Sequence, residues 1–173
     1  MAVLSASFRR DREIRRYPKL VYALVPLGAL VLQAWLPRVV GRFAWFDLPL
    51  VITVYFALGS GSPIQGTLVG ATMGLFEDAL SHRAIGVNGI AKTVAGFLAA
   101  SVGGRINEDN FTVRLLFIFL LSILASVLYV FVTRFLLGME LEWSWLTELF
   151  KAIGNSVIAI LTFPLLDRLQ IRD

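Results

Sequence analysis

Two adjacent acids, Glu77 and Asp78, sit at the end of an apolar, glycine-spaced run, GTLVGATMGLFEDALSHRAIG, residues 66–86. Carboxylates in such a setting can pair with a cation, carry a proton or bind a substrate. An acid within the bilayer costs about 2.5–3.5 kcal/mol on insertion scales, so it needs a partner or a purpose. Lys92 is the basic candidate at a similar depth, flanked by Gly89 and Gly96. If a short turn near Ala84 joins two antiparallel helices, Asp78 lies six residues before the turn and Lys92 eight after it. At ~1.5 Å per residue the two share a depth to within about one turn. The expectation is an intramembrane charge pair of Glu77 or Asp78 with Lys92. The alternatives are separate snorkelling of each charge to the interface, or a substrate or proton site. A charge swap, Asp78→Lys with Lys92→Asp, tests an Asp78 pair by rescue.

Gly66, Gly70 and Gly74 recur every fourth residue and share one helix face with Asp78. Such a stripe lets another backbone approach closely. It serves either packing within the chain or as a groove for a partner helix.

Other chemistry is sparse. His82 is the lone histidine, beside Arg83, with no matching metal ligand and no evident nucleophile. Cysteine is absent, which excludes disulfides, thiolate metal sites and cysteine nucleophiles. There is no ATP-binding loop, metal-ligand helix or nucleophile–base pair. The expectation is a protein that is not an enzyme, needs no cofactor or metal, and works by binding. Asn155 and Ser156, beside Gly154, are expected to bond across helices.

The elements that must position these residues follow from composition. Of 173 residues, 57% are hydrophobic and 16% charged, against roughly 25% charged in a soluble domain. The chain reads as an all-α integral membrane protein, a six-transmembrane-helix bundle forming a single membrane domain over 1–173. The spans are expected at about 18–36, 44–60, 63–82, 86–104, 113–137 and 148–168. The second is the weakest, with a firm apolar core only at Leu48–Leu58 and Pro49 near its start. Pro26 and Gly28 should bend the first, and Pro63 suits the first turn of the third.

Residues 1–17 form a basic, cytoplasmic N-terminal segment with Arg9, Arg10, Arg12, Arg15 and Arg16; Lys19 follows it. It reads as a topology signal that can also touch anionic lipids, not as a nucleic-acid arm, because it runs directly into a span. No small-residue cleavage site follows the first span, so it is expected to stay uncleaved. With six spans, the inner segments add Arg105, Arg114, Arg168 and Arg172, and the outer loops hold only Arg38, Arg42 and Arg83. Omitting the second span evens this split, so the positive-inside rule places both termini in the cytoplasm. The inner turn with Arg105, Glu108 and Asp109 reads as solvated or as a docking point. The outer loop GMELEWSWLTE, with Glu140, Glu142, Glu148, Trp143 and Trp145, has no basic residue. It suits an aromatic belt or an extended contact for an external partner.

The glycine-spaced helix, the Gly-Leu-x-x-Asp element and the later glycine resemble the signature of the MreD family of rod shape-determining proteins. The matching residues are Gly70, Gly74, Leu75, Asp78 and Gly86. The resemblance implies a fold similar to the S components of energy-coupling-factor transporters. It implies a non-enzymatic scaffold in the bacterial inner membrane that binds and positions MreC. RodA, its penicillin-binding transpeptidase and MreB are the further partners, and peptidoglycan synthesis and rod shape the outcome. The alternative is a substrate-binding S component of a vitamin or micronutrient transporter. That reading requires a polar cavity near the external face and small-residue surfaces on the first span, where no clean every-fourth-residue alanine pair occurs.

Overall fold

The computed structural model describes residues 17–82, 84–103 and 110–170. The basic stretch ahead of Tyr17, Arg83, the charged turn around Arg105, Glu108 and Asp109, and Arg172 lie outside the described residues. The described chain forms six helices: α1 Lys19–Val39, α2 Leu48–Gly59, α3 Pro63–Leu80, α4 Val87–Val102, α5 Phe111–Phe131 and α6 Trp145–Asp167. No strand occurs among the described residues. A 3-10 turn, Gly41–Trp45, links α1 to α2, and a π turn, Val132–Leu136, extends α5.

Three segments are long and apolar enough to cross a membrane: Lys19–Val39, Phe111–Leu136 and Trp145–Asp167. Their outward residues are large and apolar, among them Leu24, Leu27 and Val31 on α1 and Leu161 and Leu165 on α6. A surface of this kind suits lipid rather than water.

α2 is different. Its twelve residues rise about 18 Å, short of a hydrocarbon core of about 30 Å. The helix covers the apolar core of the second expected span and not its flanks, because the preceding residues belong to the 3-10 turn. Every residue from Pro49 to Gly59 is buried, and α2 touches each of the other five helices. An all-round apolar helix is stable only when enclosed, and here the neighbours enclose it.

α3 and α4 form the most extensive helix pair. Gly86, at φ 103°, precedes α4 in the left-handed region that glycine tolerates, which reverses the chain within a few residues. The two helices therefore run antiparallel.

Polar contacts gather at the two ends of the bundle. At the end bearing the termini, the Tyr55 hydroxyl donates to Asp167 Oδ1 at 2.8 Å and lies 2.6 Å from the Tyr17 hydroxyl. Arg114 Nη1 meets Asp167 Oδ2 at 2.7 Å. Its guanidinium carbon stands 5.8 Å from the centre of the Phe163 ring, within cation–π reach. This clamp ties the start of α1 to α2, α5 and α6. Arg114, read from the sequence as a basic inner-segment residue, is thus a buried structural group.

Candidate functional site

The distal end, where α1 meets α2, α3 meets α4 and α5 meets α6, holds the larger polar cluster. Lys92, on the second turn of α4, is 1% exposed. Its Nζ lies 2.6 Å from Glu77 Oε2 on α3 and 2.7 Å from Asp47 Oδ2 ahead of α2. A buried ammonium so held is compensated at close range by two carboxylates, one of them fully inside the bundle. The short distances suit charge-assisted contacts.

Asp47 is held in turn from several sides. Its Oδ1 caps α2 by accepting the Leu50 N–H at 2.8 Å, and its own N–H donates to Asn155 Oδ1 at 2.8 Å. Gln33 on α1 brackets the same turn, donating to the Phe46 carbonyl at 2.9 Å and accepting from the Leu48 N–H at 3.1 Å. Asn155 Nδ2 continues to Ser122 Oγ on α5 at 3.1 Å. One short segment, Phe46–Leu48, is thereby pinned by α1, α4 and α6. Asn155 bonds across helices as expected; Ser156 instead donates to Ala152 of its own helix at 2.9 Å.

Asp78 does not pair with Lys92. It is 0% exposed, and its carboxylate faces the start of α4. Oδ2 accepts from the N–H groups of Gly86 at 2.8 Å and Asn88 at 3.1 Å, and Oδ1 from Asn88 Nδ2 at 2.8 Å. The first N–H groups of a helix have no partner within it and carry partial positive charge. Asp78 satisfies them from the neighbouring helix and so locks the α3–α4 turn. The physical reason for the correction is azimuth: adjacent residues point about 100° apart on a helix, so one acid faces Lys92 and the other the turn. A charge swap should accordingly rescue at Glu77–Lys92 and not at Asp78–Lys92.

Asp78→Ala leaves at least two backbone N–H groups in the turn without their acceptor. Each lost partner costs about 1–3 kcal/mol. The expected result is a clear fall in the thermal unfolding midpoint in detergent, with Asp78→Asn falling less because its amide oxygen still accepts. Equal midpoints for all three proteins would exclude the capping role.

Gly66, Gly70 and Gly74 face α4. A Cβ on Gly66 would meet the Gly96 carbonyl, one on Gly70 the Lys92 carbonyl, and one on Gly74 the Asn88 carbonyl. α4 fills the stripe, which leaves no room there for a helix of another chain. Leu75, by contrast, is 44% exposed, although its side chain also lies against Gly89.

Beside the Lys92 cluster is a second one. Glu148, buried in the first turn of α6, pairs through Oε1 with Lys151 Nζ at 2.8 Å and accepts from the Ser126 hydroxyl on α5. The sequence placed Glu148 in an outer loop, where its burial was not visible. Between the two clusters lies a cavity of about 120 Å³. It is lined by Asp47, Glu77, Glu148, Lys151, Tyr129 and Trp45, with Gln33, Asn88, Ser122, Ser126 and Asn155 completing the polar wall.

The loop after α5 has no regular secondary structure from Gly138 to Ser144. Gly138, at φ 64°, turns the chain out of the π turn, and the Arg134 guanidinium donates to the Leu141 carbonyl. Glu140 and Glu142 are exposed. Trp143 and Trp145 lie 4.1 Å apart between ring centres, and Trp145 is 64% exposed. His82 is exposed at the end of α3. Among the described residues no group of acidic or histidine side chains could hold a metal ion.

A model of the family described as rod shape-determining protein MreD matches residues 15–170 of the chain. Comparison with curated proteins and with solved structures finds no match.

Proposed function

The chain belongs to the MreD family of rod shape-determining proteins, and on that premise we propose that it is a non-enzymatic scaffold subunit of the cell-elongation complex. In this reading it sits in the inner membrane as a single six-helix membrane domain with both termini in the cytoplasm, and the distal end faces outward. It binds and positions MreC, and through MreC supports peptidoglycan synthesis by RodA and its transpeptidase in register with MreB.

The observation that carries the reading is the irregular segment Gly138–Ser144 with Trp145. Exposed Glu140 and Glu142 and a tryptophan pair stand at the distal end of the bundle. An aromatic anchor beside exposed rim charges is what a protein partner engages. The glycine stripe, filled by α4, is not part of this contact. The long apolar outer faces of α1 and α6 offer surfaces for a partner's membrane helix.

The test is co-purification in mild detergent from native membranes. Tagged wild-type protein should retain MreC. The variant Trp145→Ala with Glu140→Gln and Glu142→Gln should lose about tenfold of it, as a hot-spot aromatic and its rim contribute at least about 1.4 kcal/mol, while its unfolding midpoint stays unchanged. Undiminished recovery would remove the loop from the interface. Absence of MreC from the wild-type preparation would overturn the scaffold.

A second reading is favoured by one observation, the polar distal cavity. It is the feature a fold similar to transporter S components needs for solute capture. Co-purification of a coupling subunit with paired ATPases, in place of MreC, would select it.

A further inference from the structure

We propose that the groove between α1 and the distal end of α3 holds one anionic phospholipid, its acyl chain along Val31, Ala34 and Trp35 and its phosphate at Arg38 and His82. The assignment rests on the bundle lying in a membrane and is independent of the partner's identity.

Shape is the first argument. Val31, Ala34, Trp35 and Arg38 are spaced by three and four residues and so share one face of α1. Opposite them stand Ala79 and Leu80, in the last turn of α3, and His82 just beyond it. Together they line a groove of about 400 Å³, within the range of about 300–1,000 Å³ common for ligand sites. An alanine on each wall leaves the space that a larger side chain would fill. Val31, Trp35 and Leu80 are exposed, so the groove opens on the outer surface of the bundle, on the side of the lipid.

The order of polarity is the second. From Val31 to Trp35 the α1 wall is apolar, and Arg38 follows about 10 Å from Val31 at the rise of a helix. α1 ends at Val39 and α3 at Leu80, so Arg38 and His82 come together at the rim, and both are exposed. An indole just below a cation suits a membrane–water interface. A phospholipid presents the same sequence, chain and then phosphate, along the same direction. The guanidinium fork matches a phosphate, and among the described residues no carboxylate lines the groove. A zwitterionic headgroup carries an ammonium of its own, so charge favours a lipid with a net negative headgroup.

His82 supplies the third. Among the described residues it is the non-glycine residue with a positive φ, 53°. Just past a helix end this conformation usually falls to glycine, and a side chain there is strained. The imidazole nevertheless lines the groove, where it offers a phosphate an N–H donor that glycine would lack.

The experiment reconstitutes the full-length protein in phosphatidylcholine bilayers with rising fractions of phosphatidylglycerol brominated on its acyl chains, or of phosphatidylcholine brominated in the same way. Bromine quenches an indole on contact, and the difference between wild type and Trp35→Phe isolates Trp35. Phosphatidylglycerol is expected to half-quench Trp35 at a fraction about fivefold lower than phosphatidylcholine, the factor that one basic group at a charged lipid surface supplies. Arg38→Gln should abolish this preference and Arg38→Lys should keep part of it. Arg168→Gln, at the opposite end of the bundle, should leave it intact. Ala79→Leu fills the groove and should weaken the quenching by phosphatidylglycerol. Arg38 and Ala79 are exposed, so none of these variants should move the unfolding midpoint. Equal quenching of wild type by the two lipids would mean that Arg38 only reaches for the interface, and overturns the proposal. A preference that survives Arg38→Gln, or quenching unchanged by Ala79→Leu, does so too. Displacement of the lipid by inorganic phosphate at constant ionic strength would make the rim a site for a free anion. Shielding of Trp35 from both lipids would mean that another protein segment covers the groove. Either outcome overturns the lipid assignment.

Discussion

Gly70→Leu is expected to abolish the folded protein. An added Cβ at this position already falls 2.6 Å from the Lys92 carbonyl carbon and 3.0 Å from Thr93 Cα. These are backbone atoms of a helix pinned through its first two turns by the Asp78 cap and by Lys92 itself. They cannot swing aside as a side chain tip can. The α3–α4 pair must separate, and Lys92 then leaves Glu77 and Asp47. Overpacking alone costs about 1–3 kcal/mol, and the lost charge contacts add to it. Gly70→Ala should lower the unfolding midpoint measurably, and Gly70→Leu should yield aggregate on size exclusion. Gly28→Ala is the control: nothing lies within 4 Å of its added Cβ, so its stability should stay within about 0.5 kcal/mol of wild type. A well-folded Gly70→Leu monomer that has lost only its partner would reverse the assignment and make the stripe an external interface.

The second large effect is expected at Lys92. Lys92→Met fills a similar volume but removes the ammonium that Asp47 and Glu77 share. Removing one member of a buried ion pair costs about 3–5 kcal/mol, a large fraction of the 5–15 kcal/mol typical of a domain. The companion is the triple variant Lys92→Met, Asp47→Asn, Glu77→Gln, which deletes every charge of the group. It should recover much of the loss in unfolding midpoint, because the penalty lies in the unbalanced carboxylates rather than in the missing contact. An unaltered midpoint in Lys92→Met would mean that the charges are not coupled. A triple variant as unstable as the single one would mean that packing, not charge, holds this position.

The resemblance to the family rested on a few spaced residues, and the structure gives those residues physical roles. Gly70 and Gly74 admit the backbone of α4, Asp78 caps that helix, and Gly86 supplies the left-handed turn that brings it round. These four specify one supersecondary unit, the tight α3–α4 hairpin. Their spacing is visible in sequence because all the contacts are local to a stretch of about twenty residues.

Glu77 and Lys92 were also within reach of the sequence, since the short turn and the helical rise equate their depths. The choice between Glu77 and Asp78 was not, because spacing along a helix gives depth while partner choice depends on rotation about the axis. Asp47 stands 45 residues from Lys92 and follows a turn of no fixed geometry. Its one sequence signal, an acid just before a proline-initiated helix, marks it as a cap and says nothing of a second partner. Glu148 read as a loop acid because nothing in its neighbours shows that α6 begins before it. The same holds for Arg114, counted from the sequence only as a basic inner-segment residue, whose contact with Asp167 exists only once α5 and α6 are packed side by side.

By itself, then, the sequence determined the apolar helices and the close antiparallel hairpin, since these follow from hydropathy and glycine spacing along the chain. Only the tertiary structure decided which acid meets Lys92, that the short α2 is enclosed by its neighbours, and that two charge clusters face each other across a cavity. Those features join residues distant in sequence, and their geometry is set by how each helix is rotated and tilted against the others.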